Sequence, residues 1–199
     1  MENAIMEPEC TIVTGATGAG KSTWIAGFVK TYKRSVIVYK HYVNIDDKAF
    51  DFLTTKTMSN YRQGVKPGEV VKCKISGRDI NDFQEFLKWC DKNFRHGLVV
   101  IDDSLMFERD RPSRKFLDFL IMKRHYAINI FVVYHGLSAI PIEIFTYSQK
   151  IILFNTTDNT SYKKNKISNY DALQKGILIA RENYKSADKK YKPVIVKLQ

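Results

Sequence analysis

Residues 11–22 read Thr11-Ile-Val-Thr-Gly-Ala-Thr-Gly-Ala-Gly-Lys-Ser22, a β-branched run that breaks into glycines and then a Lys-Ser pair. From Gly15 onward this is G-x-x-x-x-G-K-[ST], the spacing of a phosphate-binding loop when a strand precedes it and a helix follows. Glycines let successive backbone N–H groups turn inward around phosphate oxygens, where a Cβ would obstruct them. The helix that follows aims its positive N-terminal end at the same anion, and the Trp24/Ile25/Phe28/Val29 stripe marks that helix. In such a loop Lys21 reaches the β- and γ-phosphates and the Ser22 hydroxyl ligates Mg²⁺. The pattern predicts nucleotide binding through Gly15, Ala16, Thr17, Gly18, Ala19, Gly20, Lys21, Ser22 and Thr23. ATP and Mg²⁺ are the expected cofactors, with no base-reading motif to separate ATP from GTP.

Outward from the loop, strand and helix signals alternate to the end of the chain, which predicts an α/β fold with a mostly parallel sheet flanked by helices. Strands are expected at 11–14, 35–39, 69–75, 98–101, 128–134, 151–154 and 193–197. Helices are expected from the loop to 32, briefly near 47–53, and over 79–94 and 170–184. The 79–94 helix rests on Ile80, Phe83, Leu87, Cys90 and Phe94 recurring at 3-4-3-4 spacing, with Gly97 as its stop. Ser113 caps a further helix whose expected buried face is Phe116, Leu117, Leu120 and Ile121. Residues 155–165, rich in Thr and Asn, are expected to be a loop or mobile segment. With no repeat or long linker, 1–199 is expected to be one domain: a core over 10–154 and a basic extension over 155–199 that completes the sheet.

The apolar run Leu98-Val-Val-Ile101 ends in Asp102-Asp103, the acidic half of a phosphate-loop ATPase. A buried strand delivers Asp102 to the carboxyl edge of the sheet, where it can share Mg²⁺ with Ser22. Asp103 can orient or deprotonate the water that attacks the γ-phosphate. A strand that ends in an acid also serves simply to cap the next turn, so the pairing with the loop carries the catalytic reading. The second acid favours hydrolysis over transfer, because in a small-molecule kinase the acceptor itself supplies the nucleophile. About 80 residues separate Lys21 from Asp102, room for further strand–helix units.

Composition bounds the rest. Apolar residues make up 44% and charged residues 27% of the 199, ordinary globular values. No apolar run nears the roughly 18 residues that span a bilayer, and the acidic start lacks the layout of a secretion signal. Stable membrane insertion is not expected. Cys10, Cys73 and Cys90 have neither metal-ligand spacing nor an even count, which fits a reducing cytoplasm. The net charge is +11, and residues 161–199 hold ten Lys/Arg against three Asp/Glu. Such a bias attracts polyanions through counterion release. It also serves solubility alone.

From Leu98 onward the chain resembles the FtsK–HerA superfamily of DNA-pumping ATPases, and within it the small genome-packaging ATPases of poxviruses, giant viruses and double-jelly-roll phages. The resemblance is carried by Leu98-Val-Val-Ile-Asp-Asp103, by Lys123-Arg-His-Tyr-Ala-Ile-Asn-Ile-Phe-Val-Val-Tyr-His-Gly-Leu-Ser-Ala-Ile-Pro141 and by Ile151-Ile-Leu-Phe154. With the loop, it spans about Cys10 to Phe154. It implies an additional-strand, RecA-like core in which the 128–134 strand separates the Asp102 strand from the loop strand. It further implies an ATP-hydrolysing translocase, assembled as a homo-oligomeric ring of five or six subunits. That ring would pump viral or phage DNA through a capsid vertex, in the host cytoplasm or on the procapsid.

Residue by residue, the resemblance makes Arg124 the candidate arginine finger for a neighbour's γ-phosphate, with Arg109, Arg111 and Arg114 as rivals. A basic residue near a helix end is equally what the helix dipole favours. His135 occupies the strand-tip position that senses γ-phosphate, often Gln in the family, and Asp103 stands where Glu is common. Both are departures, and a titrating His135 would make activity pH-sensitive. Lys163, Lys164 and Lys166, with the Arg109–Arg114 cluster, are candidate nucleic-acid contacts, although a merely solvated face is the competing reading. His41, His96 and His125 read as structural. Two other functions fit parts of the pattern: a nucleoside or nucleotide kinase with Arg109, Arg111 and Arg114 on a lid, and a phage assembly or secretion ATPase. A nucleotide-binding protein without turnover also fits.

Overall fold

The computed structural model describes residues 7–41, 48–64, 69–104, 111–188 and 191–198. In chain order its strands are β1 (Cys10–Thr14), β2 (Val36–His41), β3 (Thr54–Thr55), β4 (Lys72–Gly77), β5 (Leu98–Ile101), β6 (Asn129–Tyr134), β7 (Lys150–Leu153) and β8 (Val194–Lys197). The helices are α1 (Lys21–Thr31), α2 (Met58–Gly64), α3 (Ile80–Asn93), α4 (Arg114–Tyr126), α5 (Ile142–Tyr147) and α6 (Tyr170–Lys185), with 3₁₀ turns at Lys48–Phe50 and Ser161–Lys166.

One sheet takes all eight strands in the order β3–β4–β2–β5–β6–β1–β7–β8. Every pairing is parallel except β7 with β8. β6 lies between β5 and β1, as the resemblance implied. The unbroken apolar run of β5 has its physical reason here. Leu98 and Val100 pack with Ile25 and Val29 of α1 on one face, while Val99 and Ile101 pack with Phe83, Phe116 and Leu120 on the other. A strand with no solvated face needs apolar side chains at every position. α1 and the Lys48–Phe50 turn cover one side; α3, α4, α5 and α6 cover the other.

Helix ends follow local chemistry. The Asp79 carboxylate accepts from the N–H groups of Asn81 and Asp82 at 2.8 and 3.0 Å, starting α3. The Ser113 hydroxyl accepts from Phe116 N–H at 3.3 Å, starting α4, and Ala127 ends that helix at φ 52, its N–H directed to the carbonyls of Arg124 and Lys123.

Several expectations need correction. α3 ends at Asn93, before Gly97; Gly97 instead leaves room for the Phe94 ring and the Ser35 carbonyl. On α4 Phe116 and Leu120 are buried as expected, but the face is rotated so that Ile121 is exposed and Leu117 half-buried while Phe119 and Lys123 are buried. The helix expected near 47–53 is a single 3₁₀ turn. α2 and α5 were not expected: neither exceeds 7 residues, too short to display a periodicity.

Candidate functional site

Gly15 leaves β1 with φ 153, and a Cβ there would lie 2.6 Å from the Phe154 Cβ and 3.1 Å from the Asn155 carbonyl oxygen. The loop can therefore begin only where a side chain is missing. Ala16 N–H donates to Asn155 O at 2.7 Å, which ties the loop to the end of the neighbouring β7 strand. Gly20 caps α1 at φ 93. The Lys21 ammonium folds back and donates to the carbonyls of Gly15 and Ala16 at 2.7 and 2.9 Å. Burial pushes it below its ordinary value, against the opposing pull of Asp102 and Asp103. A cation so desolvated gains from an incoming polyanion.

Thr17, Gly18, Gly20, Lys21, Ser22, Thr23 and Trp24 line one cavity of about 700 Å³, and Asp102, Asp103, His135 and Tyr191 line the same cavity. The topology brings them together. β1, β5 and β6 are adjacent and parallel, so the loop after β1, the acids after β5 and the histidine after β6 share one edge of the sheet. Ligands of open α/β sheets bind in the crevice at this carboxyl edge. Gly15, Ala16 and Ala19 do not line the cavity; Ala19 is buried beneath the loop and Ala16 spends its N–H on Asn155.

Asp103 takes φ 54, a left-handed conformation that Asp tolerates better than most residues. Its Oδ1 lies 3.5 Å from His135 Nε2, so the second acid and the strand-tip histidine face each other. Asp102 is buried and pairs with the Lys40 ammonium at 3.5 Å, which also lies 5.1 Å over the Phe50 ring. Lys40 was missed in the sequence. Tyr39 is in register with Ile101, which sets Lys40 beside Asp102, and nothing short of the strand order reveals that neighbour. Among the described residues no group of three or more His, Cys, Asp or Glu forms a metal cage. Ser22 and Asp102, two oxygen donors in one cavity, suit Mg²⁺, which is held by one or two protein oxygens together with substrate phosphates.

Residues 155–163 pack against the segment that follows His135. Asp158 accepts from Ser138 N–H at 3.1 Å. The Lys163 ammonium donates to the carbonyls of Leu137, Ser138 and Ile140 at 2.9, 3.0 and 2.7 Å. Arg181 on α6 donates to the carbonyls of Thr156 and Asp158 at 2.7 and 3.2 Å. The segment expected to be a loop or mobile segment is thus a loop followed by a 3₁₀ turn, strapped across the residues that follow His135. Lys163 must be corrected accordingly: it is only 4% exposed and is not a surface phosphate contact, while Lys164 and Lys166 are exposed.

The other expected residues lie away from the cavity. Arg111 and Arg114 are exposed near the start of α4, with Arg114 bound to Asp118 at 2.9 Å. Arg124 is exposed in the last turn of α4, which leads to the opposite, amino edge of the sheet where β6 begins. Arg109 lies outside the described residues. His41 Nε2 is within 2.9 Å of the Arg78 carbonyl.

No family model and no curated protein matches the sequence. Solved structures do match. The genome-packaging NTPase B204 of Sulfolobus turreted icosahedral virus 2, in complex with ATP-gammaS, is similar at 14% identity with a TM-score of 0.67, over 98% of this chain and 94% of that one. The same protein with sulfate gives 16% identity and a TM-score of 0.68 over 97% and 92%. B204 described as the DNA-packaging ATPase of Sulfolobus turreted icosahedral virus gives 18% and 0.62 over 97% and 94%. Nearly end to end, the chain has the fold of these packaging NTPases: an α/β P-loop NTPase with the additional strand between loop and acid.

Proposed function

We propose that this protein is an ATP-hydrolysing nucleic-acid translocase that packages a viral genome, working as a homo-oligomeric ring on a capsid. The observation that carries this reading is the convergence of the phosphate loop, Asp102, Asp103 and His135 on one cavity. A full-length fold likeness to a packaging NTPase solved with ATP-gammaS supports it.

In this reading the backbone N–H groups of residues 17–22 bind the phosphates, and Lys21 leaves its carbonyl partners to neutralise the β- and γ-phosphates. Ser22 and Asp102 would hold Mg²⁺, which when bound polarises the phosphate oxygens. Asp103 takes the proton of the attacking water, and His135, 3.5 Å from Asp103, orients that water or the γ-phosphate. Lys40, beside Asp102, balances the charge of the acidic pair before nucleotide arrives. Arg124, Arg111 or Arg114 reaches a neighbouring subunit's nucleotide, an interaction worth about 10³–10⁵ in rate. The exposed Arg111, Arg114, Lys164 and Lys166 contact DNA phosphates. They position the strand without reading its bases.

The test is ATP hydrolysis with and without single- and double-stranded DNA. Nucleic acid is expected to stimulate turnover and Lys21→Ala to abolish it. Mixing Arg124→Ala with Lys21→Ala subunits should restore part of the activity if Arg124 acts in trans. A chain that bound no DNA and instead passed phosphate efficiently to nucleosides would be a kinase, and the translocase reading would be discarded.

A further inference from the structure

Beyond its phosphate-binding end, the cavity of about 700 Å³ is within the range that holds whole drug-sized ligands, roughly 300–1,000 Å³. Its polar groups cluster at the loop, the acids and His135. Two aromatic side chains complete the lining, Trp24 and Tyr191. They differ in kind. Trp24 is locked into the fold, stacked on Phe28 at 5.7 Å and on Phe131 at 6.3 Å between ring centroids. Tyr191 is 57% exposed, an aromatic ring at the rim of a polar site.

The fold explains how a residue so near the C-terminal end of the chain comes to the loop. β8 runs antiparallel to β7, with Val194 opposite Leu153, and Leu153 is in turn opposite Thr14. The start of β8 is therefore at the same sheet edge as the end of β1. Tyr191, three positions earlier, lies over the phosphate loop. Contact is close: a Cβ on Gly20 would stand 2.8 Å from the Tyr191 Cδ1. The glycine just before Lys21 thus does two jobs, adopting φ 93 and making room for the ring.

We infer that Tyr191 is a nucleobase platform: its ring stacks on the base of a bound nucleoside triphosphate whose phosphates lie in the loop. This rests on the nucleotide-binding reading of the same cavity. Stacking on an exposed ring is tolerant of base identity, since every base offers a π-face. The site accordingly takes purine triphosphates with little discrimination between ATP and GTP, which accords with the lack of a base-reading motif in the sequence.

The experiment is equilibrium binding of Mg²⁺ complexes of ATP, GTP and inorganic tripolyphosphate to the full chain and to Tyr191→Ala, Tyr191→Leu and Tyr191→Phe. Tripolyphosphate has no base, so it isolates the loop from the platform. Tyr191→Ala and Tyr191→Leu are expected to weaken ATP and GTP alike, by roughly ten-fold, the scale of losing one base–aromatic stack. Tripolyphosphate should bind both variants as it binds the wild type, and Tyr191→Phe should bind all three ligands normally. Unchanged ATP affinity in Tyr191→Ala, or an equal loss for ATP and tripolyphosphate, overturns the platform but not the nucleotide-binding reading of the cavity. A wild-type chain that binds none of the three ligands overturns the nucleotide reading itself, and the platform with it.

Discussion

Two segments that meet beside the cavity are built by opposite means. The phosphate loop, residues 15–22, is almost self-contained: its glycines set its dihedrals, and Lys21 bonds to carbonyls five and six positions earlier. The strap, residues 155–163, makes the same kinds of bond to partners much farther along the chain. Asp158 reaches back 20 positions to Ser138, Lys163 reaches 23 to 26 positions to three carbonyls, and Arg181 reaches 23 and 25 to hold the strap itself. A local device announces itself in consecutive residues. A long-range one leaves only scattered polar side chains that read as loop. The two segments nonetheless meet, because Ala16 N–H bonds to Asn155 O, the first residue of the strap.

That joint is where the largest effect on stability is expected. Gly15→Ala imposes a strained φ, costing roughly 1–3 kcal/mol, and drives a methyl into Phe154 and Asn155, an overpacking that costs roughly 1–3 kcal/mol more. Denaturant unfolding should show a loss of at least about 2 kcal/mol, from these two effects combined. Gly18→Ala should cost less, because a Cβ there meets nothing within 4 Å. Equal losses at the two positions would mean that the loop's conformation alone matters and that its seat against the strap does not.

The next effect belongs to the strap. Lys163→Met deprives three carbonyls of their donor, two of them in buried bonds, which should cost roughly 1–3 kcal/mol. The loss should be accompanied by faster amide exchange at Ser138. A pH signature separates it from simple packing damage. Burial lowers the Lys163 ammonium from 10.5 to about 8. Between those values the unfolded chain still holds a proton that the folded chain has released, so the stability contributed at this site rises with pH through that window. The wild type should therefore gain on Lys163→Met between pH 8 and pH 10. A gap that stays constant would show that the cation is not desolvated by the strap at all.

The same division explains what could be read in the sequence. The loop, β5 with its two acids, and α3 with its 3-4 stripe were legible because each is specified within a few residues of itself. His135 was legible only through resemblance, since a histidine after an apolar strand has no local grammar. Lys40 and Tyr191 were not legible. Lys40 meets Asp102 because β2 is laid beside β5, and Tyr191 meets Gly20 because β8 turns back on β7. Lys163 was misread for a related reason. Its neighbours Lys164 and Lys166 are exposed, so a cluster of three lysines looks uniform until one of them is seen to point inward. Charge counts record how many cations there are; only packing decides which are dissolved in water and which hold the chain.

The smallest effect tests whether local legibility implies energetic weight. Asp79 begins α3 through two bonds within its own turn, and Asp82 reaches back to Arg78 N–H at 2.8 Å. It is as plainly written as the loop, yet all of these bonds are exposed. Asp79→Ala should cost only about 1 kcal/mol, the typical value for losing an N-cap, and Asp79→Asn almost nothing. The helix is held chiefly by Phe83, Phe86, Leu87 and Cys90, all buried in the core, so its cap sets where it starts more than whether it forms. If Asp79→Ala cost as much as Gly15→Ala, the cap would be as necessary to α3 as the glycine is to the loop. The contrast between self-contained and long-range devices would then concern visibility alone, with no bearing on how strongly each supports the fold.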